Sequence, residues 1–148
     1  MKSRIVYTVI ATLALTVLST PAQAEQSRAD FISSYHAQWD SRWEALHQRI
    51  LASQSKAALD PAVAKMYKTT INEFLGADAT IKQNLASSTY DLTGLIAYTE
   101  EEYEEYTSYI FNVEKAIKSY KSITCIKGSI KKTITNSAPK CPAGYKKK

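Results

Sequence analysis

Glu44 and His47 stand three apart in the stretch Glu44-Ala-Leu-His47. On a helix that spacing puts a carboxylate and an imidazole on one face, the pair with which helical bundles hold di-iron centres. Such a centre takes a second Glu-x-x-His, and the chain has only one other histidine, His36. His36 shares nearly the same helix face as His47 but lies about 16 Å away along the axis, so the two cannot ligate one ion. With half the ligand set missing, no metal and no cofactor is assigned, and both histidines are read as the polar edge of an apolar stripe. Trp39 and Trp43, one turn apart, could stack on a sugar or another ring. Their place on the stripe favours a role in the core. Glu100, Glu101, Glu102, Glu104 and Glu105 lack the spacing and the glycine of a calcium-binding EF-hand loop. Carboxylates at a helix start complement the helix dipole instead. There is no Gly-x-Ser-x-Gly and no glycine-rich phosphate loop. No catalytic residue is assigned, and the expectation is a protein that is not an enzyme.

The two cysteines depend on the compartment for their chemistry. Lys2 and Arg4 precede an apolar run from Ile5 to Leu18, and Ala22-Gln23-Ala24 follows. This is the pattern of a secretory signal peptide over residues 1–24, cut after Ala24. The run is 14 residues long, shorter than the ~18 of a membrane span, and no later apolar run is longer. The expected location is secreted or at a bacterial cell surface, with no transmembrane segment once the signal is removed. An exported pair of cysteines becomes a disulfide. Zinc would need four ligands, and redox chemistry would need Cys-x-x-Cys; neither pattern is present. Cys125 and Cys141 are therefore expected to be bridged.

Three helices would position these residues. From Gln26 to Ser55 there is no glycine or proline, and Ile32, Tyr35, Trp39, Trp43, Leu46 and Ile50 recur at steps of three and four. Asp60-Pro61 opens a second helix, with Asp as N-cap and Pro at the first helical position. Val63, Tyr67, Ile71 or Thr70, Phe74, Ile81 and Leu85 carry its stripe to about Ala86. Gly76, inside that stripe, is expected to mark a bend or a close packing contact. Thr99-Glu100-Glu101-Glu102 reads as a capping box that starts a third helix. Its stripe is Tyr103, Tyr106, Ile110, Val113, Ile117 and Tyr120, with the Tyr103 and Tyr106 rings in the core and their hydroxyls reaching water. Short connections imply an antiparallel three-helix bundle over residues 25–121.

The remaining residues, 122–148, differ in kind. They hold Lys127, Lys131, Lys132, Lys140, Lys146, Lys147 and Lys148 and no acid, whereas residues 25–121 carry fourteen acids against ten Lys and Arg. Ile123 to Ile126 and Ile130 to Thr135 are β-branched runs on either side of Lys127-Gly128-Ser129, a turn signal. This predicts a small hairpin-like tail, too short to hold itself by a core, closed by the Cys125–Cys141 bridge. The sequence Ile123-Thr124-Cys125-x-Lys-Gly, then Lys-Lys, then Pro139-Lys-Cys-Pro-Ala-Gly-Tyr-Lys-Lys-Lys resembles a short C-terminal module of many otherwise unrelated secreted bacterial proteins, especially actinobacterial ones. The resemblance covers residues 123–148 alone. It implies an exported, portable appendage and says nothing of the helical body.

A stapled unit with seven lysines favours anionic polymers, which outside a cell are wall phosphates, acidic polysaccharide or lipid headgroups. The basic tract lacks the interleaved aromatics of a base-stacking surface, and nucleic acid is not expected as a partner. The leading expectation is an envelope or extracellular protein whose tail tethers the helical body, with the body open to a protein partner. Two rival readings remain. One is a small-ligand-binding bundle built on Trp39 and Trp43, and the other a metal-dependent enzyme using Glu44 and His47.

Overall fold

The structure is a computed structural model that describes residues 27–148; the expected signal peptide, residues 1–24, lies outside the described residues. Three long helices form the body: α1 (Arg28–Ala52), α3 (Pro61–Ala86) and α4 (Leu95–Lys118), with a single-turn helix α2 (Gln54–Ala57) between the first two. Strands β1 (Lys121–Lys127), β2 (Ile130–Asn136) and β3 (Lys146–Lys147) follow as an antiparallel sheet in the order β2-β1-β3. The mainly helical class with a small disulfide-closed tail is thus as the sequence predicts. No described helix is long and apolar enough to cross a membrane.

The helix starts follow local chemistry. Ser27 caps α1 by accepting from the Asp30 amide at 3.2 Å. Asp60 caps α3, accepting from the amides of Ala62 at 2.9 Å and Val63 at 3.4 Å, with Pro61 in the first turn. The other end of α3 is closed from a distance. The Arg28 guanidinium donates to the carbonyls of Asn84 at 3.3 Å and Tyr90 at 2.8 Å, and to that of Ser87. The Asn84 carbonyl, in the last turn of α3, would otherwise have no helical partner, and the bonds to Ser87 and Tyr90 tie down the loop that follows.

Helix α4 corrects the sequence reading. It begins at Leu95, one turn before Thr99, with Gly94 at the cap position. Thr99 is fully buried inside the helix, where its hydroxyl donates to the Leu95 carbonyl at 2.8 Å and pairs with the Tyr35 hydroxyl at 2.9 Å. Gly76 also departs from expectation. Helix α3 runs unbroken through it, and a Cβ placed there would meet nothing within 4 Å.

The stripes pack into two clusters. Leu46, Ile50, Val63, Phe74, Ile110 and Val113 fill the half nearer the sheet. Tyr35, Trp39, Ile81, Leu92 and Leu95 fill the other half. Trp43 and Tyr103 pack against both clusters and join them. Tyr106 is buried rather than reaching water, and burial, then the hydrogen-bonded Glu102 carboxylate, push its phenol well above the usual range.

Candidate functional site

The tail is built around Cys125. Its strand, β1, is central, and pairing sets Cys125 opposite Lys132 on β2 and Lys147 on β3, and Ile126 opposite Lys131 and Lys146. Side chains alternate across a sheet, so each face carries one lysine on either side of the middle strand, about 10 Å apart. Cys125 is fully buried and bridged to Cys141, with a Cα–Cα distance of 5.6 Å. The bridge draws the segment from Ser137 to Tyr145 over one face of the sheet. Gly128 opens the β1–β2 turn at φ 57° and Gly144 leads into β3 at φ 81°. Both conformations favour glycine over any residue with a side chain. The last residue is held too: the Lys148 amide donates to the Thr124 carbonyl at 2.9 Å.

All seven tail lysines are exposed. Among the described residues the ion pairs all lie in the helical body, so none of the seven has a carboxylate partner. Lys127 and Lys132 instead approach the face of the Tyr145 ring, at 6.0 and 5.3 Å from its centroid. Lys131 and Lys146 share one face and Lys132 and Lys147 the other, while Lys140 stands on the loop beside Cys141. Tyr145 carries no charge, so the clustering of lysines in the sequence does not point to it. Its signal is its place two residues before Lys147, after the turn at Gly144.

The sheet meets the body at few points. Tyr120, between α4 and β1, packs on the nearer cluster. Its hydroxyl is buried without a partner, and burial, then the charge of Asp60, push that phenol up. Asp60 is shared between body and tail. One carboxylate oxygen caps α3, and the other accepts from the Ser137 amide at 3.2 Å and from the Ser137 hydroxyl. These bonds hold the Asp60 carboxyl below the usual range, the Ser137 hydroxyl having the largest effect.

The chemistry-bearing residues of α1 gather elsewhere. Trp39, Trp43, His36 and His47 all line one groove between α1 and α3, with a volume of about 380 Å³. Neither indole offers an open stacking face. Trp39 is 1% exposed and lies under the Arg42 guanidinium, 4.2 Å from the ring centroid. Trp43 stacks on Phe74, with centroids 5.0 Å apart, and donates its N–H to Asp78 at 3.1 Å. His36 sits against Asp40 at 3.0 Å, and His47 stacks on Phe74 at 5.1 Å. Among the described residues no group of three or more His, Cys, Asp or Glu is placed to hold a metal ion. Glu44 is bonded to Gln48 at 2.7 Å.

No family model, no curated protein and no solved structure matches this chain.

Proposed function

We propose that this is a non-enzymatic envelope or extracellular protein whose stapled cationic sheet tethers the helical body to anionic wall or surface polymers. The observation that carries the reading is the state of the lysines. Seven exposed ammonium groups sit on a crosslinked three-stranded unit with no Asp or Glu side chain among them. No ion pair within the chain offsets their mutual repulsion, and a polyanion does. A fixed scaffold also loses less conformational entropy on binding than a loose lysine tail would. The resemblance of residues 123–148 to the appendage of secreted bacterial proteins agrees with this use, and so does the disulfide.

The test is retention on isolated bacterial cell walls. The whole chain is compared with a variant carrying Lys131→Gln, Lys132→Gln, Lys146→Gln and Lys147→Gln. Each lysine near an anionic surface contributes about 1 kcal/mol, so the fourfold variant should bind up to about a thousandfold more weakly at low ionic strength. Binding of the unaltered chain should fall steeply as salt shortens the Debye length. Equal retention of both forms, or retention indifferent to salt, overturns the tether.

A further inference from the structure

We propose that the outer edge of β2 takes up an extended acidic peptide as a further strand of the tail sheet. β2 is an end strand, and its seven residues pair with β1 without a bulge. The direction of its backbone groups follows from one bond. The Thr124 carbonyl accepts from the Lys148 amide, so Thr124 turns its backbone toward the β3 side of β1. In an antiparallel ladder a residue turns its N–H and C=O to the same side, and successive residues alternate. Thr133, opposite Thr124, is therefore in a pair that exchanges no bonds, and it points its N–H and C=O away from β1. Lys131 and Thr135 do the same by alternation. Among the described residues no backbone bond from a turn or loop reaches these groups.

An unbroken open edge is a template for one more strand, and the side chains along it define which strand fits. Lys131 and Lys132 are neighbours in β2, so they stand on opposite faces of the sheet. Neither has a carboxylate partner. A strand with acidic residues opposite both lysines gains an ion pair on each face. A second copy of the tail is disfavoured by the same charge, since each copy brings seven lysines and no acid. Ile130, 54% exposed at the turn end of β2, and the half-buried Ile134 take β-branched apolar partners. Thr133 and Thr135 take threonines. Run antiparallel, as in the rest of the sheet, the fitting segment reads Thr-Val-Thr-Glu-Glu-Val. Such a strand is distinct from a tethering polymer: it is held by the direction of backbone groups, whereas a polyanion needs the charge alone.

The experiment titrates the whole disulfide-bonded chain with acetyl-Thr-Val-Thr-Glu-Glu-Val-amide at low ionic strength, followed by heteronuclear NMR and amide exchange. The Lys131, Thr133 and Thr135 amides should shift and exchange more slowly. Those of Lys132 and Ile134, already bonded to β1, should keep their protection. N-Methylation of the peptide's second threonine, which faces Thr133, should weaken binding at least about tenfold, because it removes a ladder bond and holds the strands apart. N-Methylation of the first valine, whose N–H points to solvent, should change binding little. The two methylated peptides carry the same charge, so attraction of an anion to the lysines does not separate them. Lys131→Gln with Lys132→Gln should weaken the parent peptide severalfold and flatten its salt dependence. The proposal is overturned if none of the three amides moves at millimolar peptide, or if both methylated peptides bind equally well. It is also overturned if the three amides are already protected in a dimer, which gives the edge to a second copy. Failure to bind peptide with retention on cell walls intact removes the strand and leaves the tether standing.

Discussion

The Asp60 carboxylate bonds the α3 amides through one oxygen and Ser137, just after β2 at the end of the tail sheet nearer the body, through the other. Cap and clasp therefore titrate together. The folded Asp60 carboxyl lies below its ordinary value of 3.8. A group depressed in the folded state stabilises fully above its unfolded pKa, and that stability is lost as pH falls through the folded value. The tail should stay docked at neutral pH and loosen in acid below the ordinary carboxylate range. Hydrogen exchange should show the Ser137 amide losing protection there before the α3 interior does. Asp60→Asn should remove the acid step, and Ser137→Ala should weaken the clasp while sparing the cap.

The bridge and the clasp act on different parts of the tail. Cys125–Cys141 closes a separation of 16 residues, and a loop of that length is worth about 3 kcal/mol in the chain-entropy account. Cys125 is the one fully buried side chain of the sheet, so little else holds it. Reduction should unravel the tail and leave the far-ultraviolet helical signal of the body nearly unchanged. A cooperative loss of helix on reduction would mean that the two parts fold as one unit.

Helix α4 shows where a local signal loses to packing. Thr99 and Glu102 have the capping-box pattern, and an N-cap is worth about 1 kcal/mol. Starting the helix at Thr99 would leave Leu95 outside the regular stripe, whereas Leu95 is fully buried and Leu92 nearly so. Burying each leucine is worth about 1.5–3 kcal/mol, which exceeds the cap. Asp91, accepting from the Thr93 amide at 2.9 Å, shapes the turn that brings them in. The long stripes were legible because their period reports the buried face directly. The groove was not legible, because Asp78 and Lys82 meet the histidines and tryptophans of α1 only once the helices are paired. Thr99 then takes a new role as partner to the Tyr35 hydroxyl. Tyr35→Phe should cost about 1 kcal/mol, read as a shift in the denaturant midpoint with an unchanged slope.

Arg49 and Glu114 clamp α1 to α4 with two parallel bonds, Nε to Oε1 at 2.8 Å and Nη2 to Oε2 at 2.7 Å. The hydrogen-bonded guanidinium holds the Glu114 carboxyl below its ordinary value. Both side chains are partly exposed, so solvent screens the pair and its worth is about 0.5 kcal/mol. Glu114→Gln should lower the melting temperature by about 2 °C at neutral pH. Because the folded pKa is depressed, the advantage of Glu114 is present above the ordinary carboxylate pKa and fades below it. Melts of the two proteins should converge in acid. A constant gap at all pH values would assign the loss to packing instead.

Gly76 gives a prediction of opposite sign. It is exposed in the middle of α3, the helix runs on through it without interruption, and a Cβ at that position meets nothing within 4 Å. Its carbonyl accepts from the Thr80 hydroxyl at 2.9 Å, a bond that a new methyl group leaves intact. A glycine in such a place costs unfolded-state entropy and returns neither a turn nor a close approach. Gly76→Ala should therefore stabilise the body by about 0.5–1 kcal/mol, a rise of about 2–5 °C in melting temperature. A destabilised variant would mean that α3 needs the glycine for a second conformation or for a partner that presses against this face.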